Sequence, residues 1–551
     1  MNKTKCIISF ICFLFCVNLN AQDLAWLKNS TSNDVFTSHS FYAGAEFNNE
    51  FYLAGDFWKD VIIDEFSIEI EDDDANGIII KMNEEGTASD VWHFKSSDYV
   101  RINDIESNPL TESIIITGNY DYEMSFGDQT WNSPYSANGF VMSIKPDGSV
   151  DWMTKFEGQN NVSFASGTAL AVDEMGHVFV GIGTAGTTMI DDQVYSFEPE
   201  MSGAIVAEFS QNGELIDSEL WDNKNFEGWI DITNMEFDND NDLYITGTTF
   251  GKIAIGDNTF TFSDEILSLF IVKQDIDFDL QWLKSYESIK SHVLDMVIDE
   301  NDLILSIHYA GSIDFDGEIL TGSGSWGDMA LISMDQNANL NWAKNFTLSE
   351  NGGIAGVYGM AITPWLDQYF VGGMYQGDVV HEGNLILDNN NSGPSYQYPF
   401  ILSISKEGDL MSVYDFAGSS GIGLIRTMNS STSHLVFGGD FSGQISIEDS
   451  TVNTINSALF YGALQDNTTA IVEHEDLANQ FTIAPNISSD FIFIETDSQV
   501  TKFELHSSSG IFLDQLAGDK RRIDISNLSS GGYFLVAEIA GKMSTVQFIK
   551  K

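Results

Sequence analysis

The chain has little covalent or conformational bracing. Its three cysteines, Cys6, Cys12 and Cys16, all fall within the first 21 residues. Without that segment neither disulfides nor thiol chemistry is left. Only 8 prolines occur in 551 residues, so no polyproline stretch or rigid Pro-rich linker is expected. Basic residues are also scarce: 24 Lys+Arg stand against 82 Asp+Glu, a formal net charge of -58. Such a surface repels phosphate backbones and anionic membranes at long range, which excludes nucleic acid as a partner. The one long apolar run, Cys6 to Val17, is shorter than the roughly 18 to 20 residues that span a bilayer, so no transmembrane segment is expected. Catalytic signatures are missing as well. The nine histidines are scattered, with no His-Glu-x-x-His, and there is no Gly-x-Ser-x-Gly elbow, P-loop or dinucleotide fingerprint. Any two of the 82 acids could be posed as a glycosidase pair, so carboxylates alone are not diagnostic.

What is present is a large apolar fraction, 43% hydrophobic and 12% aromatic, enough for a packed core and too long for one ordinary domain. The acidity then belongs to the surface of a folded body. Lys3 and Lys5, the apolar run and Ala21 before Gln22 form a basic n-region, an h-region and a small residue at a cleavage point. Residues 1–21 therefore read as a secretory signal. Phe15, ahead of Cys16, is too bulky for lipid attachment there.

A degenerate phrase recurs along most of the chain, as in Lys145-Pro-Asp-Gly-Ser-Val-Asp-Trp152 and Asp335-Gln-Asn-Ala-Asn-Leu-Asn-Trp342. Its aromatic anchors are Trp26, Trp92, Trp152, Trp221, Trp282, Trp342 and Tyr414, separated by 60 to 72 residues, which makes seven units. About thirty residues after most anchors comes a second phrase ending in glycine: Phe51-Tyr-Leu-Ala-Gly55, Ile114-Ile-Ile-Thr-Gly118, Leu243-Tyr-Ile-Thr-Gly247, Leu435-Val-Phe-Gly-Gly439. Glycine there implies a strand that stops at a turn or approaches another backbone closely. A third phrase, such as Ile253-Ala-Ile-Gly256 or Ile313-Asp-Phe-Asp-Gly317, completes each unit. Three to four short strands per unit without helical periodicity predict an all-β fold. Radial stacking of four-stranded sheets buries both faces of each, so the expected fold is a seven-bladed β-propeller; a linear β-solenoid is the alternative. Recurrence of the tryptophans at one repeat position points to packing between neighbouring units.

The segments Asp173-Glu-Met-Gly-His-Val-Phe-Val-Gly181 and Asp240-Asn-Asp-Leu-Tyr-Ile-Thr-Gly247 resemble the D-x-x-G-N-x-Y-x-x-G core of bacterial surface β-propeller repeats, over roughly residues 24–465. Composition shifts beyond the array. Residues 23–479 hold 15 Lys+Arg against 74 Asp+Glu, whereas residues 480–551 hold 7 against 8. The expected organisation is a signal peptide over 1–21, a repeat domain over 22–465, a linker over 466–479 and a separate module over 480–551. Five candidate strands in that module, at Phe491–Glu495, Thr501–His506, Ile511–Asp514, Tyr533–Ile539 and Met543–Ile549, predict a small C-terminal β-sandwich. Three ordered phrases in it carry a further resemblance: Ala484-Pro485-Asn486, Ile523 through Gly531-Gly532-Tyr533-Phe534-Leu535, and Val546-Gln-Phe548-Ile-Lys550-Lys551. They look like the type A C-terminal sorting domain of the type IX secretion system of Bacteroidota. Ala484 and Ile487 stand where that pattern has an aromatic and a second proline. The resemblance implies the type IX secretion machinery as partner, passage across the outer membrane, and a secreted or cell-surface location.

Two groups of site candidates emerge. The run Asp238-Asn-Asp240-Asn-Asp242 offers alternating carboxylates to a calcium ion. Its register matches Asp173-Glu-Met-Gly176, and Leu243 stands where an EF-hand loop needs glycine, so a structural turn is the stronger reading. Trp58, Trp131, Trp229, Trp326 and Trp365 lie outside the repeated phrase, in segments read as loops, and are candidate ligand platforms. No catalytic residue is assigned. The expected role is a non-catalytic binding protein for a glycan or a surface protein. A hydrolase of extracellular polymers with its site in a propeller channel, or a structural surface component, are the alternatives.

Overall fold

Unbroken apolar runs such as Ile114-Ile-Ile116 and Phe140-Val-Met142 cannot lie on a half-exposed sheet, and in the computed structural model both sit in strands buried on both faces. Strands with alternating patterns, such as Val150–Gly158, take the outer positions. The structure describes residues 22–32, 38–70, 74–197, 202–222, 229–263, 266–322, 327–349, 356–389, 396–416 and 420–466, and, further on, 482–484, 487–488, 491–496, 500–507, 512–526, 528, 531–539 and 542–550. Among them all regular structure is β, in many small, almost wholly antiparallel sheets, and there is no helix. By contact the chain divides into two units, Leu24–Gln465 and Asp466–Lys551.

In the first unit the described strands form seven four-stranded meanders. The first runs Ser38–Phe47, Glu50–Trp58, Ala75–Asn83 and Ala88–Ser96. Five more repeat the pattern, with inner strands Val100–Asn108, Phe164–Val172, Trp229–Phe237, Lys290–Asp299 and Gly356–Trp365. The seventh takes Ser420–Ser430, His434–Ile447 and Ser450–Asp466 from the end of the unit and its fourth strand, Gln22–Asn29, from the beginning. Beyond that strand the Ser30 amide donates to the Leu459 carbonyl at 2.9 Å, and the Leu459 amide donates to Ser30 Oγ at 3.0 Å. Inner strands of successive meanders contact one another in turn, and the seventh contacts the first.

The core follows the same order. Seven buried apolar clusters each join two adjacent meanders, including one that unites Phe51, Leu53 and Ile78 of the first with Val436, Leu459 and Tyr461 of the seventh. Each fully buried Phe, Ile or Leu contributes about 1.5–3 kcal/mol, so the stability resides between neighbouring sheets.

The repeated tryptophans occupy the outer strands and act across those interfaces. Nε1 of Trp26, Trp152, Trp282 and Trp342 donates to the carbonyls of Glu84, Gln211, Gln336 and Lys406, each in the last hairpin turn of the next meander. Gly213 in such a turn has φ 78°, and a Cβ there would lie 2.3 Å from the Trp152 ring. The Lys145 to Trp152 phrase is therefore a tight turn plus the indole that grips the next one.

Of the two reasons offered for the glycine of the second phrase, a strand end or a close backbone approach, the structure shows the second, and the third phrase departs from expectation. The glycine of the second phrase does not end its strand: Glu50–Trp58 and Leu243–Phe250 run on past Gly55 and Gly247. Close approach is the reason, since a Cβ on Gly55, Gly118, Gly247, Gly373 or Gly439 would fall within 2.0 Å of a carbonyl oxygen of the inner strand. The third phrase is a separate hairpin reaching back to the preceding meander. Glu123–Phe126 pairs with Ala88–Ser96, and Thr187–Ile190 pairs with Val150–Gly158.

The second unit has a three-stranded sheet, Thr482–Ala484, Phe491–Glu495 and Arg522–Asp524, and a five-stranded one that includes Val500–Ser507, Gly531–Ile539 and Lys542–Lys550. Ile492, Ile494 and Ile523 of one share a buried cluster with Phe503, Leu505 and Leu535 of the other.

Candidate functional site

Each inner strand carries a β-bulge at the same place. The unpaired residues are Tyr42, Asn103, Thr168, Thr233, Leu294, Met360 and Arg426. A bulge inserts one residue and re-aims its side chain. All seven line a single cavity of about 310 Å³ to which every inner strand contributes. The space lies among the seven inner strands and is bounded largely by polar groups.

Four carboxyl groups lie on this cavity: Asp104, Glu106, Glu236 and Asp295. Asp104 accepts from the Ile105 amide at 2.8 Å and from the Leu170 amide of the next inner strand at 2.7 Å. Asp295 repeats the arrangement with Met296 at 2.9 Å and Ile362 at 2.7 Å. Glu236 accepts from the Ile298 amide at 2.9 Å. Asp104, Glu236 and Asp295 are thus clamps between adjacent meanders. Burial pushes Asp104 and Asp295 up to about 7, with the backbone bonds opposing it. Burial, reinforced by Asp104, pushes Glu106 up to about 8. Burial and then Glu106 push Glu236 well above the carboxylate range. Four anions cannot share so small a space, and protons are retained.

A different chemistry surrounds Tyr42. Only two arginines, Arg101 and Arg426, occur in residues 23–479. Both stack on Tyr42, with guanidinium carbons 4.5 and 5.6 Å from the ring centroid. Arg101 comes from the second meander and Arg426 from the seventh, the two neighbours of the Tyr42 strand. Arg101 Nε pairs with Asp56 Oδ2 at 3.1 Å, and Arg426 Nε pairs with Asp440 Oδ1 at 2.6 Å. The Tyr42 hydroxyl donates to Asp56 Oδ2 at 3.2 Å. Burial and then Asp56 push that hydroxyl up to about 12, so it stays a donor.

The acidic run is built differently. Asp238 Oδ1 accepts from the amides of Asp240 and Asp242 at 3.0 and 2.9 Å. Asp173, Asp275 and Asp335 make the same turn. Lys273 Nζ stands 3.0 Å from Asp238 Oδ2 and 2.9 Å from Asp242 Oδ2, over the Tyr244 ring at 4.9 Å. A protein ammonium therefore occupies the space between those carboxylates. Among the described residues no group of three or more His, Cys, Asp or Glu is arranged to hold a metal.

The off-register tryptophans are not brought together. Trp58 and Trp229 stand at the starting end of the inner strands, Trp365 at the opposite end and Trp131 in an outlying hairpin, all in strands rather than loops. Trp58 is 44% exposed and Trp365 only 5%. Trp326 lies outside the described residues. In the second unit the Gly531-Gly532-Tyr533-Phe534 phrase and the terminal phrase are partner strands, with Gly531 opposite Lys550 and Tyr533 opposite Phe548. Pro485, Asn486 and Lys551 lie outside the described residues, as do residues 1–21.

The cavity residues escaped sequence reasoning because the seven bulge positions share no chemical type. Two signals were available: the glycine facing most bulges, and the confinement of arginine to two positions in 457 residues.

No protein-family model matches the chain. No curated protein matches it either. Among solved structures it is similar to a Bacteroides caccae protein of unknown function, 8% identical over 56% of this chain and 93% of that one, TM-score 0.22. It is also similar to a Dyadobacter fermentans protein of unknown function, 7% identical over 81% and 100%, TM-score 0.32. A third is a Trp149Ala mutant of the Synechocystis apocarotenoid oxygenase, 8% identical over 79% and 95%, TM-score 0.32. Similarity at this level identifies neither a family nor an activity.

Proposed function

We propose that residues 22–465 form a seven-bladed β-propeller that binds an extracellular ligand in its axial cavity without turning it over. The observation that carries this reading is the convergence of seven bulged inner strands on one polar cavity. Neighbour contacts that return from the seventh meander to the first favour a ring over a linear solenoid. Binding is favoured over catalysis because Asp104 and Asp295 each commit both oxygens to backbone amides and have none left for a substrate. The second reading, a hydrolase, draws on carboxyls held near neutrality in a cleft, a recurrent property of general acids.

In this proposal residues 480–551 form a β-sandwich that is read by the type IX secretion machinery, and residues 1–21 direct export, so the protein is secreted or displayed at the cell surface. The pairing of the Gly531 to Phe534 phrase with the terminal phrase on adjacent strands supports this, since a receptor would meet them as one surface. The test is a screen of the full-length protein on a library of glycans and envelope polysaccharides, following binding and product release together. Saturable binding without products is expected. Released products would replace the binding reading by the hydrolase, and loss of export should follow deletion of residues 480–551.

A further inference from the structure

The two arginines of the first unit converge on one tyrosine from the two neighbouring meanders, and Arg101 also lies over the Tyr99 ring at 5.4 Å. A buried Asp56 or Asp440 could be neutralised by lysine, and the unit uses lysine for its other ion pairs, as at Lys81–Glu50, Lys155–Glu157 and Lys284–Asp316. Arginine differs in offering a planar fork of donors and a face that stacks on aromatics. Each guanidinium is held through Nε, so among the described residues the Nη donors of both remain for another acceptor. Side-chain exposures of 37% for Arg101 and 26% for Arg426 leave both reachable. Tyr42 and Arg426 line the cavity, whose wall continues with the hydroxyls and amides of Asn103, Thr168, Thr427 and Asn429.

We propose that Arg101 and Arg426, braced on Tyr42, receive the carboxylate of a hexuronate residue, whose ring enters the axial cavity. The inference rests on the binding reading above and names its ligand class. A carboxylate is the planar acceptor that a guanidinium fork matches. A sugar ring is favoured over other carboxylates because hydroxyl- and amide-rich walls match a ring of hydroxyls, and a space of about 310 Å³ lies at the small end of ligand pockets. Glu106 and Glu236, whose carboxyls are not wholly committed to backbone amides, are then the acids that meet the ligand as hydrogen-bonding groups.

The test uses methyl-labelled methionine in the full-length protein, because Met235, Met296, Met360 and Met428 all line the cavity. Galacturonic acid is titrated beside its methyl ester, galactose and N-acetylglycine. The proposal expects saturable shifts of the Met360 and Met428 methyls by galacturonic acid, with the ester and galactose at least about tenfold weaker. Arg426→Lys and Arg101→Lys should weaken galacturonate about 10- to 100-fold while the methionine spectrum stays folded. Equal binding of acid and ester overturns the arginine assignment and leaves an axial binding site standing. Equal or tighter binding of N-acetylglycine overturns the sugar assignment. Silence of all four cavity methyls with every probe overturns both this inference and the axial binding reading. The comparison of acid with ester needs no variant, so a misfolded lysine variant does not blunt the test.

Discussion

Two glycines on equivalent strands should respond oppositely to the same substitution. Gly247 faces the bulged part of Trp229–Phe237, and an added Cβ would stand 1.9 Å from the Asp231 carbonyl oxygen and 2.6 Å from the Phe270 ring. The carbonyl belongs to a backbone fixed by the ladder and the bulge, so it cannot withdraw without breaking the pairing. Overpacking of this kind costs about 1–3 kcal/mol, and backbone contact at this distance places Gly247→Ala at the upper end, about 3 kcal/mol. Gly183, on the second strand of the third meander, would bring its Cβ only to 3.7 Å from Thr168 Cγ2, an ordinary contact. Gly183→Ala should be neutral or stabilising by about 0.5 kcal/mol, through loss of unfolded-chain freedom. Urea unfolding followed by tryptophan fluorescence reads both. Equal midpoints for the two variants would refute the claim that glycine is kept at Gly247 for the bulge.

The raised carboxyls set a pH dependence. Asp104 and Asp295 titrate near 7 when folded, against 3.8 ordinarily, so the folded protein holds protons that the unfolded chain has released. Their contribution is greatest below about pH 4 and is lost as pH rises through about 7. Thermal melting should fall from about pH 5.5 to 8, and Asp104→Asn with Asp295→Asn should flatten that slope; an unchanged slope contradicts the assignment. Gly213→Ala combines a φ of 78° with a Cβ 2.3 Å from Trp152, and should destabilise by about 2–3 kcal/mol. Trp152→Phe, which removes the bond to the Gln211 carbonyl and part of the ring packed on Gly213, should cost about 1–3 kcal/mol. Lys273→Met strands the buried Asp238 carboxylate and should cost about 3 kcal/mol or more by chemical denaturation. Calcium should leave wild-type melting unchanged, because the ammonium already lies between the carboxylates, and a rise on adding calcium would revive the metal reading.

The strands were legible because burial on both faces writes itself as runs such as Ile78-Ile-Ile80, and the repeat was legible because most units reuse an indole and a tight turn at one interface, with Gly86, Gly148, Gly213 and Gly408 in four of those turns. Phasing was not. The unit that opens with Trp26 supplies its strand to the seventh meander, through contacts separated by 429 residues, and no local pattern encodes so distant a pairing. In the second unit the five longer strands were visible, whereas Thr482–Ala484, Ile487–Ser488 and Arg522–Asp524 are too short to carry a period. The cavity was hidden for another reason. Its defining property is a position, one extra residue in each inner strand, filled by tyrosine, asparagine, threonine, leucine, methionine or arginine. Asp104 and Asp295 were indistinguishable among 82 acids until the fold placed them against the amides of the next meander. The off-register tryptophans mislead for the converse reason: shared rarity in sequence did not place them at one site.

In the proposed propeller, closure of the ring by the N-terminal strand underlies both the axial cavity and its proposed ligand. Native-state hydrogen exchange of Gln22–Asn29 tests it most directly, because these amides are either laddered to Ser450–Asp466 or open to water. The account predicts that the bonded amides of this strand exchange as slowly as those of Ser113–Tyr120 in the second meander. Exchange at the rate of an unstructured terminus would contradict it.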